Sequence, residues 1–249
     1  MDAIATYALR LGDDSLILGQ RLSEWCGHAP ALEVDLSLAN VALDQVGQAT
    51  HFLTLAGELE GKGRDGDALA FRRDVMDFTN CLLVEQPNGD FAQTIARQLL
   101  FSHYQELLFT ALMGSKNATI AAIAAKAVKE TSYHATLASD WVVRLGDGTD
   151  ESKARMVAGL DWMWRFADEL FVMDEVDAAA IKAGVGVDKA SLRAAWETRI
   201  DATLAEATLT RPAPRRATTG GRIGRHSEHL GHLLSDMQFL QRAYPGATW

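Results

Sequence analysis

The stretch ALEVDLSLANVALDQVGQATHFLTL, residues 31–55, decides the fold. Glu33, Ser37, Asn40, Asp44, Gly47 and His51 recur in it at a four-three-four rhythm, with Val34, Leu38, Val41 and Leu55 supplying apolar surface alongside. Steps of three and four residues return a side chain to the same side of an α-helix, so the spacing predicts one from about Leu32 to Leu59. The polar residues do not sit on one outer face. They form a line flanked by apolar lines, as expected of a helix that faces a polar interior and has other helices beside it.

Outward from this segment the pattern stays helical, and no strand-like alternation stands out. A first helix is expected from near Asp2 to before Gly27, its buried stripe formed by Ile4, Tyr7, Leu11, Leu18, Leu22 and Trp25. The turn GHAP, with Pro30, separates it from the second. GKGRDGD is turn-rich, and a short amphipathic segment is predicted from Asp67 to about Phe78. After the connector LLVEQPNGD, Asp90 caps a third long helix, Phe91 to Met113. Asn117 caps a fourth, to about Leu145, whose stripe runs through Ile120, Ile123, Ala127, Glu130, His134, Leu137 and Trp141. A fifth, aromatic-rich helix is expected over Asp150 to Ala183, with Trp162 and Phe166 packed inward one turn apart. Asp188 caps a sixth, to about Leu209, and a last helix spans Ser227 to Tyr244. With no internal repeat and no linker, residues 1–249 are expected to form one all-α domain.

Composition narrows the function. The chain is 48% hydrophobic and 23% charged, which suits a globular protein with a large core. A net charge of -9 argues against nucleic acid as a partner. The two cysteines, Cys26 and Cys81, form no CxxC and no disulfide framework, so a cytoplasmic location is expected. The segment MDAIATYALRLGDD has no basic start or cleavable apolar core, and no apolar run is long enough for a bilayer, so neither secretion nor a membrane is expected.

Long helices with polar groups on inner faces are the material of four-helix diiron proteins. Those need a Glu from each of two helices and a Glu-x-x-His from each of the other two. None of the seven histidines here has a Glu or Asp three residues before it. Ahead of His134 that place holds Thr131, and Asp44 is followed three residues later by Gly47. Glu33, Asp44, Glu130 and His134 could be a dimetal carboxylate set. They fit better as a hydrogen-bond or ion-pair network, such as His134 with Asp44 or Glu130, because the carboxylates miss the matched offsets. No metal ligand is therefore assigned, and Glu33, Asp44, Gly47, Glu130, Thr131 and His134 stand as candidates for a vestigial site.

Three further features carry chemistry. In HSEHLGH, successive pairs among His226, His229 and His232 could share a metal. All three could not, the third being rotated roughly 240° from the first at 100° per residue; structural or interface histidines are expected. The segment TRPAPRRATTGGRIGRH gathers Arg211, Arg215, Arg216, Arg222 and Arg225 among prolines and glycines. Clustered guanidiniums suit a phosphate or carboxylate, although no phosphate-loop motif occurs. The stripe Trp162, Trp164, Phe166 and Phe171 suits a core or an interface equally.

RLSEWCGHAPALEVDLSLANVALDQVGQA, LLVEQPNGDFAQTIARQ, KETSYH and GGRIGRHSEHLGHLLSDMQFLQR resemble the C-subunit family of bacterial phenylacetyl-CoA epoxidases, ring-oxidising multicomponent monooxygenases of phenylacetic acid catabolism. The resemblance runs from TYALRLGDD to Trp249. It implies an all-α, ferritin-like four-helix bundle with additional C-terminal helices. It implies a non-catalytic structural subunit, without a cofactor of its own, that braces a homologous catalytic subunit holding the diiron centre. NADPH, FAD and an iron–sulfur cluster serve through a reductase, small accessory subunits join the assembly, and phenylacetyl-CoA is the substrate of the complex. The five arginines then become candidates for contact with a partner or with CoA phosphates. The alternatives are an independent diiron or dimanganese oxidoreductase with an atypical ligand set, and an iron store, for which the carboxylates are lacking.

Overall fold

A computed structural model describes residues 2–247; Met1, Thr248 and Trp249, with the end of the resemblance, lie outside the described residues. Among the described residues all regular structure is helical, so the all-α expectation holds. The chain divides into two compact units, residues 1–86 with 220–249, and residues 87–219.

The first unit opens with a hairpin of α1 (Ala3–Ser23) and α2 (Leu32–Glu60). Gly12 lets the two backbones approach: a Cβ there would lie 2.7 Å from Leu53 Cδ2 and 3.2 Å from Leu53 N. Ile17, Leu18 and Leu22 of α1 and Leu38, Val41 and Phe52 of α2 are buried in this core. The expected segment from Asp67 to Phe78 is not one helix. It is the short α3 (Gly66–Phe71), capped by Asp65, and a separate 3₁₀ turn, Val75–Asp77. Arg73 breaks the run by turning its guanidinium inward to Asp13. The connector holds an unanticipated turn of helix, α4 (Leu82–Glu85), every residue of it buried.

The second unit opens with another hairpin, α5 (Phe91–Leu112) and α6 (Ala118–Gly146), begun where Asp90 and Asn117 accept the first amide protons. α7 (Asp150–Trp164) crosses α5 closely at Gly159, where a Cβ would lie 2.8 Å from Gln93 Cα. The predicted fifth helix is broken here. A 3₁₀ turn, Ala167–Phe171, and α8 (Glu175–Lys182) replace its second half. Phe166, Ala167, Glu169, Leu170 and Phe171 are all buried. On a continuous α-helix they would spread over roughly 200° of its circumference, more than one face can bury. Asp174, in a capping box with Asp177, restarts the chain as α8. Trp162 is exposed under the Arg165 guanidinium rather than packed inward, so the aromatic stripe divides between surface and core. Asp188 caps a 3₁₀ turn, Lys189–Leu192, which runs into α9 (Arg193–Glu206).

The chain re-enters the first unit at Gly220 and ends in α10 (Glu228–Ala243), with Leu230, Leu233 and Leu234 buried. Each unit opens on a helical hairpin, consistent with a ferritin-like helical fold. Among the described residues no helix is long and apolar enough to cross a membrane. Neither cysteine forms a disulfide; Cys26 is exposed and Cys81 buried.

Candidate functional site

The polar line of α2 turns outward. Glu33, Asn40 and His51 are exposed, and Ser37, Asp44 and Gly47 half-buried. The buried line is Val34, Leu38, Val41, Gln45, Gln48 and Phe52, the same rhythm one residue further on and so about 100° around the helix. Its polar members are Gln45 and Gln48, and Ser15 of α1 donates to Gln48 Oε1 at 3.5 Å. Gln45 and Gln48 were legible as a second polar pair at the i,i+3 offset, hidden within an otherwise apolar line. In the second unit the buried polar residues of α5 include Gln98, Ser102 and Gln105. On α6, Thr131 and His134 are buried, whereas Glu130 is half-buried with Lys126 3.7 Å away. Thr131 Oγ1 donates to the Ala127 carbonyl at 3.0 Å.

The buried polar pairs at the i,i+3 offset are Gln45 and Gln48 on α2 in the first unit and Thr131 and His134 on α6 in the second. Neutral amides and a hydroxyl do not fit a pair of irons, which takes carboxylates. Among the described residues, no group of three or more His, Cys, Asp or Glu is placed to hold a metal ion, His226, His229 and His232 included.

The arginine segment is divided between the units. In the second, Arg211 forms an ion pair with Asp201, which holds that carboxyl below the usual carboxylate range, and Arg215 reaches Asp161 at 2.7 Å. In the first, Arg222 grips Asp14 with two hydrogen bonds of 2.9 and 2.7 Å and donates to the Thr79 carbonyl. Arg216 and Arg225 are exposed.

Two clusters are not foreshadowed by any local motif. The first unit buries three carboxylates, Asp13, Asp14 and Glu85. Asp13 pairs with Arg73 and accepts from the Thr79 amide and hydroxyl; Asp14 pairs with Arg222 and accepts from the Cys81 amide. Glu85 accepts from Asn80 Nδ2 at 2.9 Å and the Ser227 amide at 2.6 Å, and lies 2.7 Å from His226 Nδ1. Arg21 bonds the Glu85 carbonyl through Nε and Nη2. Burial alone would lower the His226 ring, but its Glu85 and Phe78 contacts outweigh that and hold it above the usual histidine range.

The second unit holds a hydrogen-bonded chain. His103 Nε2 lies 3.0 Å from Ser139 Oγ, and Thr203 Oγ1 donates to the same hydroxyl at 3.3 Å. The other ring nitrogen, Nδ1, is buried without a hydrogen-bond partner. Burial, with the nearby Arg199 guanidinium, pushes the His103 ring down to about 4, so it is neutral near pH 7. Beside it Trp196 donates Nε1–H to the Leu100 carbonyl at 2.8 Å and meets Phe171 and Trp164 at ring separations of 5.2 and 5.9 Å.

Comparison with known proteins gives these clusters their setting. A family model described as "Phenylacetic acid catabolic protein" matches residues 1–249. The chain is similar to the C subunit of 1,2-phenylacetyl-CoA epoxidase from Escherichia coli (strain K12), at 52% identity over 249 residues that cover the whole of both chains.

Proposed function

Since the chain belongs to the phenylacetic acid catabolic protein family, we propose that it is the C subunit of a phenylacetyl-CoA epoxidase and acts in phenylacetate breakdown. The observation that carries this is the identity to the C subunit of the Escherichia coli enzyme along the entire length. The subunit is non-catalytic and structural. It braces a homologous catalytic subunit that holds the diiron centre, while a reductase carrying FAD and an iron–sulfur cluster brings electrons from NADPH. Small accessory subunits complete the assembly, which resides in the cytoplasm.

The donor chemistry supports this role. Gln45 and Thr131 stand at buried offsets where a Glu-x-x-His pair needs its carboxylate, and Gln48 where it needs its histidine, so each unit is read as carrying a degenerate ligand pair and residues 1–249 as one ferritin-like domain. A catalytic bundle packs around polar ligands and gains little from its own core there; a homologous partner can supply the missing apolar burial, as in obligate interfaces. Leu32, Leu36 and Leu43 of α2 offer such surface, being exposed at spacings of four and seven residues. In the arginine segment three guanidiniums already have carboxylate partners, so contact with CoA phosphates or an acidic partner surface rests mainly on Arg216 and Arg225. Replacing Arg216 and Arg225 by Ala tests this: unchanged assembly and unchanged substrate affinity would remove the idea.

The decisive experiment is elemental analysis for iron and manganese on the untagged chain, alone and after co-expression with its catalytic homologue. Iron only in the co-purified complex is expected. Stoichiometric metal in the isolated chain, lost on His134→Ala, would instead make this an independent diiron or dimanganese enzyme.

A further inference from the structure

His226 is held between two groups that can only accept. Its ring lies 2.7 Å through Nδ1 from the Glu85 carboxylate and 2.9 Å through Nε2 from the Phe78 carbonyl, and its side chain is 1% exposed. A neutral imidazole has one N–H and one lone pair, so it satisfies one of these contacts and turns a lone pair on the other. The imidazolium alone donates to both.

The surroundings leave this proton in control of the Glu85 charge. The charged and titratable groups on the elements around the ring include Arg10, Asp13, Asp14 and Arg21 of α1, Arg72, Arg73, Asp74 and Asp77 after α3, Glu85 of α4, Arg222 and Arg225 preceding α10, and Glu228, His229, His232, Asp236 and Arg242 within it. Asp13 is paired with Arg73, and Asp14 with Arg222. Arg21 spends its guanidinium on two backbone carbonyls and on Glu24. Among the described residues, the cation bonded to the fully buried Glu85 carboxylate is His226.

The backbone on either side is seated without slack. A Cβ on Gly221 would fall 2.1 Å from the Asn80 carbonyl oxygen, and one on Gly224 would fall 2.4 Å from that of Met76. Ser227 adds its amide to Glu85.

We propose that residues 220–227 are a proton-gated strap: the doubly protonated ring of His226 fastens the C-terminal segment to the Phe78 carbonyl and to α4, and loss of one ring proton loosens it. The Arg222–Asp14 clamp keeps the strap tethered, so the change is a loosening of one stretch and not global unfolding. The sign follows from the ring being held above its ordinary range. The fastening is complete below the unfolded histidine's pKa and is lost as pH rises through the higher, folded one.

Hydrogen exchange on the full chain tests this, with peptides spanning residues 218–230 compared at about pH 6 and about pH 9 and corrected for intrinsic exchange. Protection of the strap is expected to fall between the two, by about tenfold for each pKa unit by which the folded ring is raised. In His226→Gln it is expected to be low at both. Strap protection that does not change with pH in the native chain, or a pH dependence that persists in His226→Gln, overturns the proposal. Nitrogen-15 NMR of the histidine rings needs no variant: two protonated nitrogens on His226 at about pH 6 are required, and a singly protonated ring there defeats it.

Discussion

In the first unit, Asp13, Asp14 and Glu85 are buried carboxylates that meet Arg73, Arg222 and His226, cations delivered by segments remote in the chain. In the second unit the central place belongs to rings: Trp196 against Phe171 and Trp164, with Tyr104 5.6 Å from Phe171. The difference follows from how each unit is assembled. The second is one continuous stretch, residues 87–219, whose neighbours are largely dictated by connectivity. There apolar packing, which is strong but undirected, works beside a buried ion pair, Lys189–Asp177, whose partners are near neighbours in the chain. The first must recruit a returning segment, and directional charge pairs specify where it docks. Such pairs add little net stability, but a missing partner is costly, which makes them selective.

Asp13→Ala strands Arg73 in the interior and should destabilise the chain by about 3–5 kcal/mol in urea unfolding. Converting both, Asp13→Leu with Arg73→Met, should recover most of that loss; if it does not, the pair contributes net stability and the contrast weakens. Trp196→Ala should cost a similar 3–5 kcal/mol by leaving a cavity. Exchange protection read unit by unit sharpens the comparison. Loss confined to the altered unit means the two open separately, whereas equal loss in both means they unfold as one domain.

The buried histidines make the contrast visible through pH. His103 is depressed to about 4, so the unfolded chain binds its proton first as pH falls. The second unit should lose about 3 kcal/mol between pH 6.5 and pH 4 on that account. His226 is raised, so its contribution to the first unit is retained over that window and lost on the alkaline side. Thermal unfolding of His103→Gln should show a flatter acid limb, and an unchanged limb would assign the acid sensitivity elsewhere. Gly159→Ala pushes a methyl at the α5 backbone and should cost about 1–3 kcal/mol, measured as a lowered urea midpoint. The smallest effect expected is that of Asn117→Ala, about 1 kcal/mol from the lost cap of α6.

The long helices were legible because apolar residues recurring at helical spacing over five or more turns fit little besides a buried helix face, and Asp90 and Asn117 announce their starts by chemistry alone. Orientation was not. Two lines with the same rhythm run down α2, one residue apart, and only packing decides that Val34 through Phe52 turns inward and Glu33 through His51 outward. The break after Trp164 was missed because its residues favour burial in a helix and in a tight turn alike. The ionic cluster was invisible for a different reason: Asp14 and Arg222 are 208 residues apart, and no local pattern announces such a pair. His134, in contrast, lies where the spacing puts it, on the buried side of α6, whereas Thr131 is buried there in place of the expected Glu130.

The first unit is built from two stretches that lie on either side of the second in the sequence. During synthesis Asp14 is made long before the arginine that neutralises it, and at about 5–20 residues per second the interval of 208 residues lasts on the order of 10 to 40 s. The second unit is complete by Thr219, before the arginine arrives. Asp14 is therefore among the last of the buried carboxylates to find its partner, and a nascent chain interrupted before Arg222 would carry a finished second unit and an unanswered charge in the first.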